Sequence, residues 1–361
     1  MSASAPPPRP GDAGTPARVS HATYARRSLV WLLLPLAAGA VLLVRHLGAG
    51  RAAASDTVAV LPFAAGGADA GAAVLADGMT DGLAEALGSV PGVLVIGAAG
   101  GDAAALPAEP REAGRVLGAR LVVTGRAERQ GDTLAVSADL VDVATGGRRG
   151  GAGIVRPVAA LLDVEEDLAV DIVRALRPAA AARVREALRR RRAPGEAVRQ
   201  LLMRARFLTR TGGEAARAEA AACLAQATHD APAYAAAHAA LATLNLRAAA
   251  GAAAGDAERA ALVNARAAVS RALALDPDLA EAVAARGRVE HLLDGDLTAA
   301  ERSLRRAVAL APSSAAAHLW LGELLADRGR RRAAAAAIRE AARLAPLSPE
   351  APAALVRLAR R

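Results

Sequence analysis

Residues 277–312 read PDLAEAVAARGRVEHLLDGDLTAAERSLRRAVALAP, and residues 312–346 read PSSAAAHLWLGELLADRGRRRAAAAAIREAARLAP. The two stretches share one grammar, set by Pro277, Pro312 and Pro346 at intervals of 35 and 34 residues. An Ala lies five before each proline (Ala272, Ala307, Ala341) and a branched apolar residue eight before (Val269, Leu304, Ile338). Another Ala lies twelve before (Ala265, Ala300, Ala334). Pro232 repeats the order with Ala227, Leu224 and Ala220, although an insertion stretches the next interval to 45. Ten residues after a proline comes a small residue: Ala242, Gly287, Gly322.

A period near 34 residues, with small residues where paired helices touch and a proline ending each pair, resembles the tetratricopeptide repeat. The resemblance implies a stack of helix pairs that acts as a binding surface. The spacing predicts four pairs, over 197–228, 233–275, 279–310 and 314–344, and a last helix over 349–361. Arg357, Arg360 and Arg361 suit that helix as a polar cap. Residues 248–255 are only Ala and Gly and are expected to form a flexible loop.

In that family the first helix of each pair lines the concave groove. Residues seven, eleven and fifteen after each proline, with their counterparts in the first pair, then share one helix face. The sets are Leu202, Arg206, Arg210; Ala239, Thr243, Arg247; Ala284, Arg288, Leu292; and Leu319, Glu323, Asp327. The expected groove is basic over three pairs and acidic at the last, and it suits an acidic peptide or a C-terminal carboxylate. His238 and His318 each stand six residues after a proline, with no acidic partner at ligand spacing, so a metal site is not expected. Trp320 is expected to pack between helices.

Upstream, Thr57–Phe63 (TVAVLPF) reads as a buried strand. Ala72–Gly88 reads as a helix with Leu75, Met79, Leu83 and Leu87 on one face. Val93–Ile96 is a short strand and Pro110–Leu117 a second helix. Leu121–Glu128 and Thr133–Val143 pair around Gln130-Gly131-Asp132, and Val158–Leu176 is an amphipathic helix. This β-α-β-α-β-β-α order, through AVLPF, ADGMTDGLAEAL, PGVLVI, LGARLVVTGRAERQGDTLAVSADLVDVATG and LDVEEDLAVDIVRAL, resembles the TolB-like N-terminal domain. That domain is found between a membrane helix and tetratricopeptide repeats in bacterial regulators of the CadC-like and cyclase-associated kind. The sequence departs from the family after Gly146, where Arg148-Arg149-Gly150-Gly151-Ala152-Gly153 replaces the usual Trp and Tyr-Asp and reads as a loop.

Several features invite chemistry and are read blandly. Gly66-Gly67 and Gly100-Gly101 match no phosphate-loop pattern. Asp77 and Asp81 stand one helical turn apart, as acids that complement a helix dipole do. Cys223, the single cysteine, excludes an internal disulfide and reads as core. Arg189–Arg192, before Ala193-Pro194-Gly195, suits a helix C-terminus, with lipid contact as the alternative. No nucleophile–base pair or cofactor motif is present, so neither an enzyme nor a cofactor is expected.

The chain has 361 residues, enough for two or three domains, and a net charge of +9. All 45 basic residues are Arg, spread through helices among acidic neighbours, which reads as solvated helix faces rather than a nucleic-acid site. Aromatics make up only 2%, so the core is expected to be thin and helical. Residues 1–27 lack apolar periodicity and are expected to be disordered. Ser28–Val44 carries no charge and is flanked by Arg26, Arg27 and Arg45, which predicts a transmembrane signal-anchor over residues 28–46 with the N-terminus inside. A cleaved signal peptide is the competing reading.

The domains expected are a cytoplasmic segment 1–27, the anchor 28–46, a TolB-like α/β domain 56–178, a basic linker 179–196 and a repeat array 197–361. The expectation is a single-pass inner-membrane protein with its bulk in the periplasm, acting as a scaffold for a protein or peptide ligand in an envelope complex. The alternative is the sensory half of a signalling system whose DNA-binding, cyclase or kinase output lies on a separate partner. The groove residues put forward are Arg206, Arg210, Thr243, Arg247, Arg288, Leu319, Glu323 and Asp327.

Overall fold

A computed structural model describes residues 56–66, 70–97, 106–253 and 255–360. The expected anchor over 28–46 lies outside the described residues, and among those described no helix is long and apolar enough to cross a membrane. From Ser55 on the chain is one compact unit, a small sheet domain followed by a helical solenoid.

The sheet domain is built on Val-rich runs with two buried faces. Strands β1 (Asp56–Val60), β3 (Val93–Gly97) and β4 (Leu121–Gln130) are parallel, with β1 in the middle. Strands β5 (Thr133–Asp142) and β6 (Arg148–Pro157) continue the sheet antiparallel beyond β4. Side chains alternate across it as the period of a strand requires. Val58, Val60, Val95, Leu121 and Val123 join one core cluster with helices α1 (Ala70–Gly88) and α3 (Leu161–Leu176). Ala59, Ile96 and Val122 join a second cluster on the opposite face, beside α2 (Pro110–Val116).

Three sequence expectations change here. The strand read over Thr57–Phe63 stops at Val60; Pro62, with no N–H to donate, interrupts it. The chain resumes as β2 (Ala64–Gly66) on the far end of β4, and the Phe63 N–H donates to Thr80 Oγ1 at 3.0 Å. The Arg-Arg-Gly-Gly run read as a loop is the start of β6. Its glycines let α3 and β5 approach: a Cβ at Gly150 would lie 2.5 Å from that of Ala175, and one at Gly151 2.2 Å from Asp139 Oδ1. Residues 181–190 of the expected linker form helix α4 (Ala181–Arg190), which sinks Ala181 and Val184 into the sheet-domain core.

The solenoid pairs α5 (Glu196–Thr211) with α6 (Glu214–Asp230), α7 (Ala235–Gly251) with α8 (Asp256–Leu275), α9 (Ala280–Leu292) with α10 (Leu297–Leu310), and α11 (Ala315–Asp327) with α12 (Arg331–Leu344). Helix α13 (Glu350–Arg360) caps it. The insertion is shorter than expected as a loop, because α7 stays helical through Gly251. The small residue ten after each proline meets the branched residue eight before the next. A Cβ at Gly287 would lie 2.7 Å from Leu304 Cγ, and one at Gly322 2.4 Å from Ile338 Cγ1. Ala242 and Val269 share a core cluster in the same way. The alanines five and twelve before the prolines are buried in every pair. Alanine therefore sets how closely the helices approach, while Leu, Val and Ile supply the apolar bulk.

Candidate functional site

Helix α1 carries three rows of residues, each spaced by four and so stacked on one helix face. Met79, Leu83 and Leu87 are buried against the sheet. Gly78 and Gly82 form a bare groove that receives α5: a Cβ at Gly78 would fall 1.9 Å from Met203 Cε, and one at Gly82 3.2 Å from Arg199 Nη2. Asp77, Asp81 and Glu85 form the third row. Arg210 Nη1 lies 2.7 Å from Asp81 and Nη2 contacts Asp77, while Arg206 lies 3.9 Å from Glu85.

The first repeat helix is thereby locked onto the sheet domain. Met203 belongs to the sheet-domain core cluster, and Arg199 makes a two-pronged bond to Glu165 of α3 at 2.7–2.9 Å. Arg191 reaches Asp276 at 3.1 Å, and at the other end the Val95 N–H of edge strand β3 donates to Ser313 Oγ at 2.9 Å. The sequence offers few large apolar residues to join the two halves, yet Met203 and a set of ion pairs join them. Burial pushes the Asp81 carboxyl up to about 6, against the pull of Arg206 and Arg199. Burial also lowers Arg210, with help from Arg247, to about 10, so it stays charged at neutral pH. For Arg206, burial opposes the charge, but Glu281, Glu85 and Asp81 outweigh it and hold the guanidinium firmly protonated.

Between the sheet domain and the concave face lies a cleft of 1330 Å³. Of the eight groove residues, Arg206, Thr243, Arg247, Arg288, Leu319 and Glu323 line it; Arg210 and Asp327 do not. Arg210 is consumed by α1, and Asp327 accepts from His291 Nε2 at 3.0 Å. The lining is not basic: eight arginines face eight carboxylates. Arg206 and Thr243 both hold Glu281, at 3.4 and 3.0 Å, and Arg247 lies 3.5 Å from Glu350. Arg288 sits 5.9 Å from the Trp320 ring centroid, in range for a cation–π contact, and 2.9 Å from Glu323, which Arg357 shares at 2.8 Å. Of the four arginines put forward, Arg206, Arg247 and Arg288 line the cleft and Arg210 does not, and each already has a carboxylate.

Other singled-out residues are structural. Arg189, Arg190, Arg191 and Arg192 find Glu166, Glu186, Asp276 and Asp163 at 2.7–3.1 Å, which leaves no free basic run there. His238 and His318 each donate Nε2–H to the carbonyl of the proline six residues back, at 3.1 Å. Cys223 is buried in the repeat core, and burial raises its thiol. Sequence reading missed Met203, Arg199, Glu281 and Ser313. Only the Gly78/Gly82 spacing hinted at a partner helix.

No known family model matches this sequence, and neither does any curated protein. Among solved structures the chain is similar to a thermophilic tetratricopeptide-repeat protein of Thermus thermophilus, at 22% identity over 55% of this chain and 97% of that one, with a TM-score of 0.38. It is similar to MamA at 18% identity over 51% of this chain and 91% of that one, with a TM-score of 0.30. It is also similar to TolB from Acinetobacter baumannii at 17% identity, with a TM-score of 0.27, over 34% of this chain and only 29% of TolB's length.

Proposed function

We propose that this protein is a binding scaffold whose partner, a peptide segment of another protein, occupies the cleft between the sheet domain and the concave face. The observation that carries this reading is the cleft itself. At 1330 Å³ it exceeds the roughly 300–1,000 Å³ common for small-molecule pockets. Its charges balance, and Leu319 and Trp320 lie among them, so the partner is better described as amphipathic than as simply acidic. This revises the acidic-peptide expectation. Residues 28–46 serve in this reading as a membrane anchor that holds the scaffold in the periplasm.

The sensory alternative is favoured by one relationship. Arg206 bridges Glu85 of the sheet domain and Glu281 of the third pair, so an occupant of the cleft touches both halves at once.

A photo-crosslinking residue at Arg247, compared with one at exposed Arg259 of α8, tests the site in membranes. Partner adducts from 247 and none from 259 support the cleft. Equal yields from both positions refute it.

A further inference from the structure

A second charged feature lies outside the cleft. Glu301 of α10 is a buried carboxylate, with its side chain 6% exposed, and it gathers three guanidinium groups, one from its own helix and two from the turn between α11 and α12. Arg305 contacts it from the next turn of α10. Arg328, just after α11, lies at 2.5 Å, and Arg330, just before α12, at 2.6 Å. The arginines themselves are open, at 55%, 32% and 49% exposure.

The charge at this point does not balance, in contrast to the run at 189–192. The four arginines of that run have four different acids, whereas these three share one, which leaves two more positive than negative charges among these four side chains. Each guanidinium carries several N–H donors in a rigid fork. Glu301 engages one nitrogen of each, and Arg328 gives one further bond to Leu297 O at 3.3 Å. The arginines are half-exposed or more open than Glu301, so donors that Glu301 does not use are accessible to solvent. A planar carboxylate already fills the buried side. A tetrahedral oxyanion, whose oxygens lie out of one plane, matches guanidinium groups supplied by a helix and by the turn packed beside it.

We infer that Arg305, Arg328 and Arg330, pre-positioned by Glu301, form a binding site for a phosphate group. Inorganic phosphate and the headgroup phosphate of an anionic lipid present the same chemistry, and the test below separates them.

The test uses the full chain in detergent micelles, titrated with inorganic phosphate while arginine Nε–H resonances are followed by NMR. The site predicts saturable shifts at Arg305, Arg328 and Arg330 and none at Arg339, which lies on α12 away from the cluster. Arg305→Gln/Arg330→Gln should weaken phosphate binding by about tenfold or more, as expected for losing charge-assisted hydrogen bonds. Co-sedimentation with phosphatidylcholine vesicles, with and without phosphatidylglycerol, forms the second arm, because any contribution of residues 28–46 is the same in both proteins. If the double variant loses the phosphatidylglycerol-dependent part of binding, the ligand is a lipid headgroup. If it loses only the inorganic phosphate response, the ligand is a free anion. Shifts spread evenly over all arginines in the wild type, or no difference between the two proteins in either arm, would overturn the site. The wild-type resonances decide the matter even if the double variant fails to fold.

Discussion

Arg210, near the end of the first repeat helix, holds Asp81 of the sheet domain at 2.7 Å across 129 residues of sequence. That contact marks where the repeat groove stops being free surface. The acidic partner that Arg206 and Arg210 suggest is in fact supplied by the chain itself, as the Asp77, Asp81, Glu85 row of α1.

This burial gives Asp81 a pH signature. Its folded pKa of about 6 lies above the unfolded value of 3.8, so the folded protein binds the extra proton in between. The contribution to stability is fully present below 3.8 and is lost as pH rises through about 6. Denaturant midpoints measured for wild type and Asp81→Asn should therefore diverge as pH rises from 4 to 7, the wild type losing ground. Parallel curves would show that contact with Arg210 cancels the effect of burial.

The Gly78–Met203 contact makes docking testable by a double-mutant cycle. Gly78→Val should destabilise by roughly 1–3 kcal/mol through overpacking, and Met203→Ala by roughly 2–5 kcal/mol through a cavity. Because each relieves the other, the combined variant should lose clearly less than the sum. Strict additivity in urea melts would mean that the two helices do not touch in solution.

Repeat register can be checked at Gly322. A methyl there meets Ile338 Cγ1 and backbone atoms of Ala334 and Ile338. The overpacking penalty, roughly 1–3 kcal/mol, should exceed the gain of about 1 kcal/mol from alanine in a helix. Gly322→Ala should lower the melting temperature, and Ile338→Ala added to it should restore part. Gly153→Ala, which meets nothing within 4 Å, should be neutral.

Partner capture should separate two arginines that look alike in the sequence. Arg247→Glu opposes Glu350 on a half-exposed rim and should weaken partner capture in a pull-down while leaving the melt unchanged. Arg206→Glu faces Glu85 and Glu281 at a partly buried position and should lower stability as well. Loss of stability in Arg247→Glu would place it in the fold rather than the site.

The repeat was legible because its constraint is local and periodic. Ala272, Ala307 and Ala341 recur since each must let a helix come close, and Gly287 and Gly322 recur since Leu304 and Ile338 occupy the space of a side chain. Strand β6 was not legible. Gly150 and Gly151 have low strand propensity, and their fitness depends on Ala175 and Asp139, residues distant in sequence. The site was half legible. Four-residue spacing placed Arg206, Thr243, Arg247 and Arg288 on the concave side, but their neutrality depends on Glu85, Glu281, Glu323 and Glu350, brought in by other helices. Periodicity reports which way a side chain faces, whereas its charge partner is set by tertiary packing.

The bond from the Val95 N–H to Ser313 has a consequence for synthesis. Edge strand β3 leaves the ribosome 218 residues before the hydroxyl that will cap it. At about 5–20 residues per second, that is a delay of roughly 10–40 s during which a valine-rich strand edge stays open to pairing with a neighbouring nascent chain. The sheet domain is therefore finished only when the fourth helix pair begins, and truncations that end before Ser313 should be the ones most prone to aggregate.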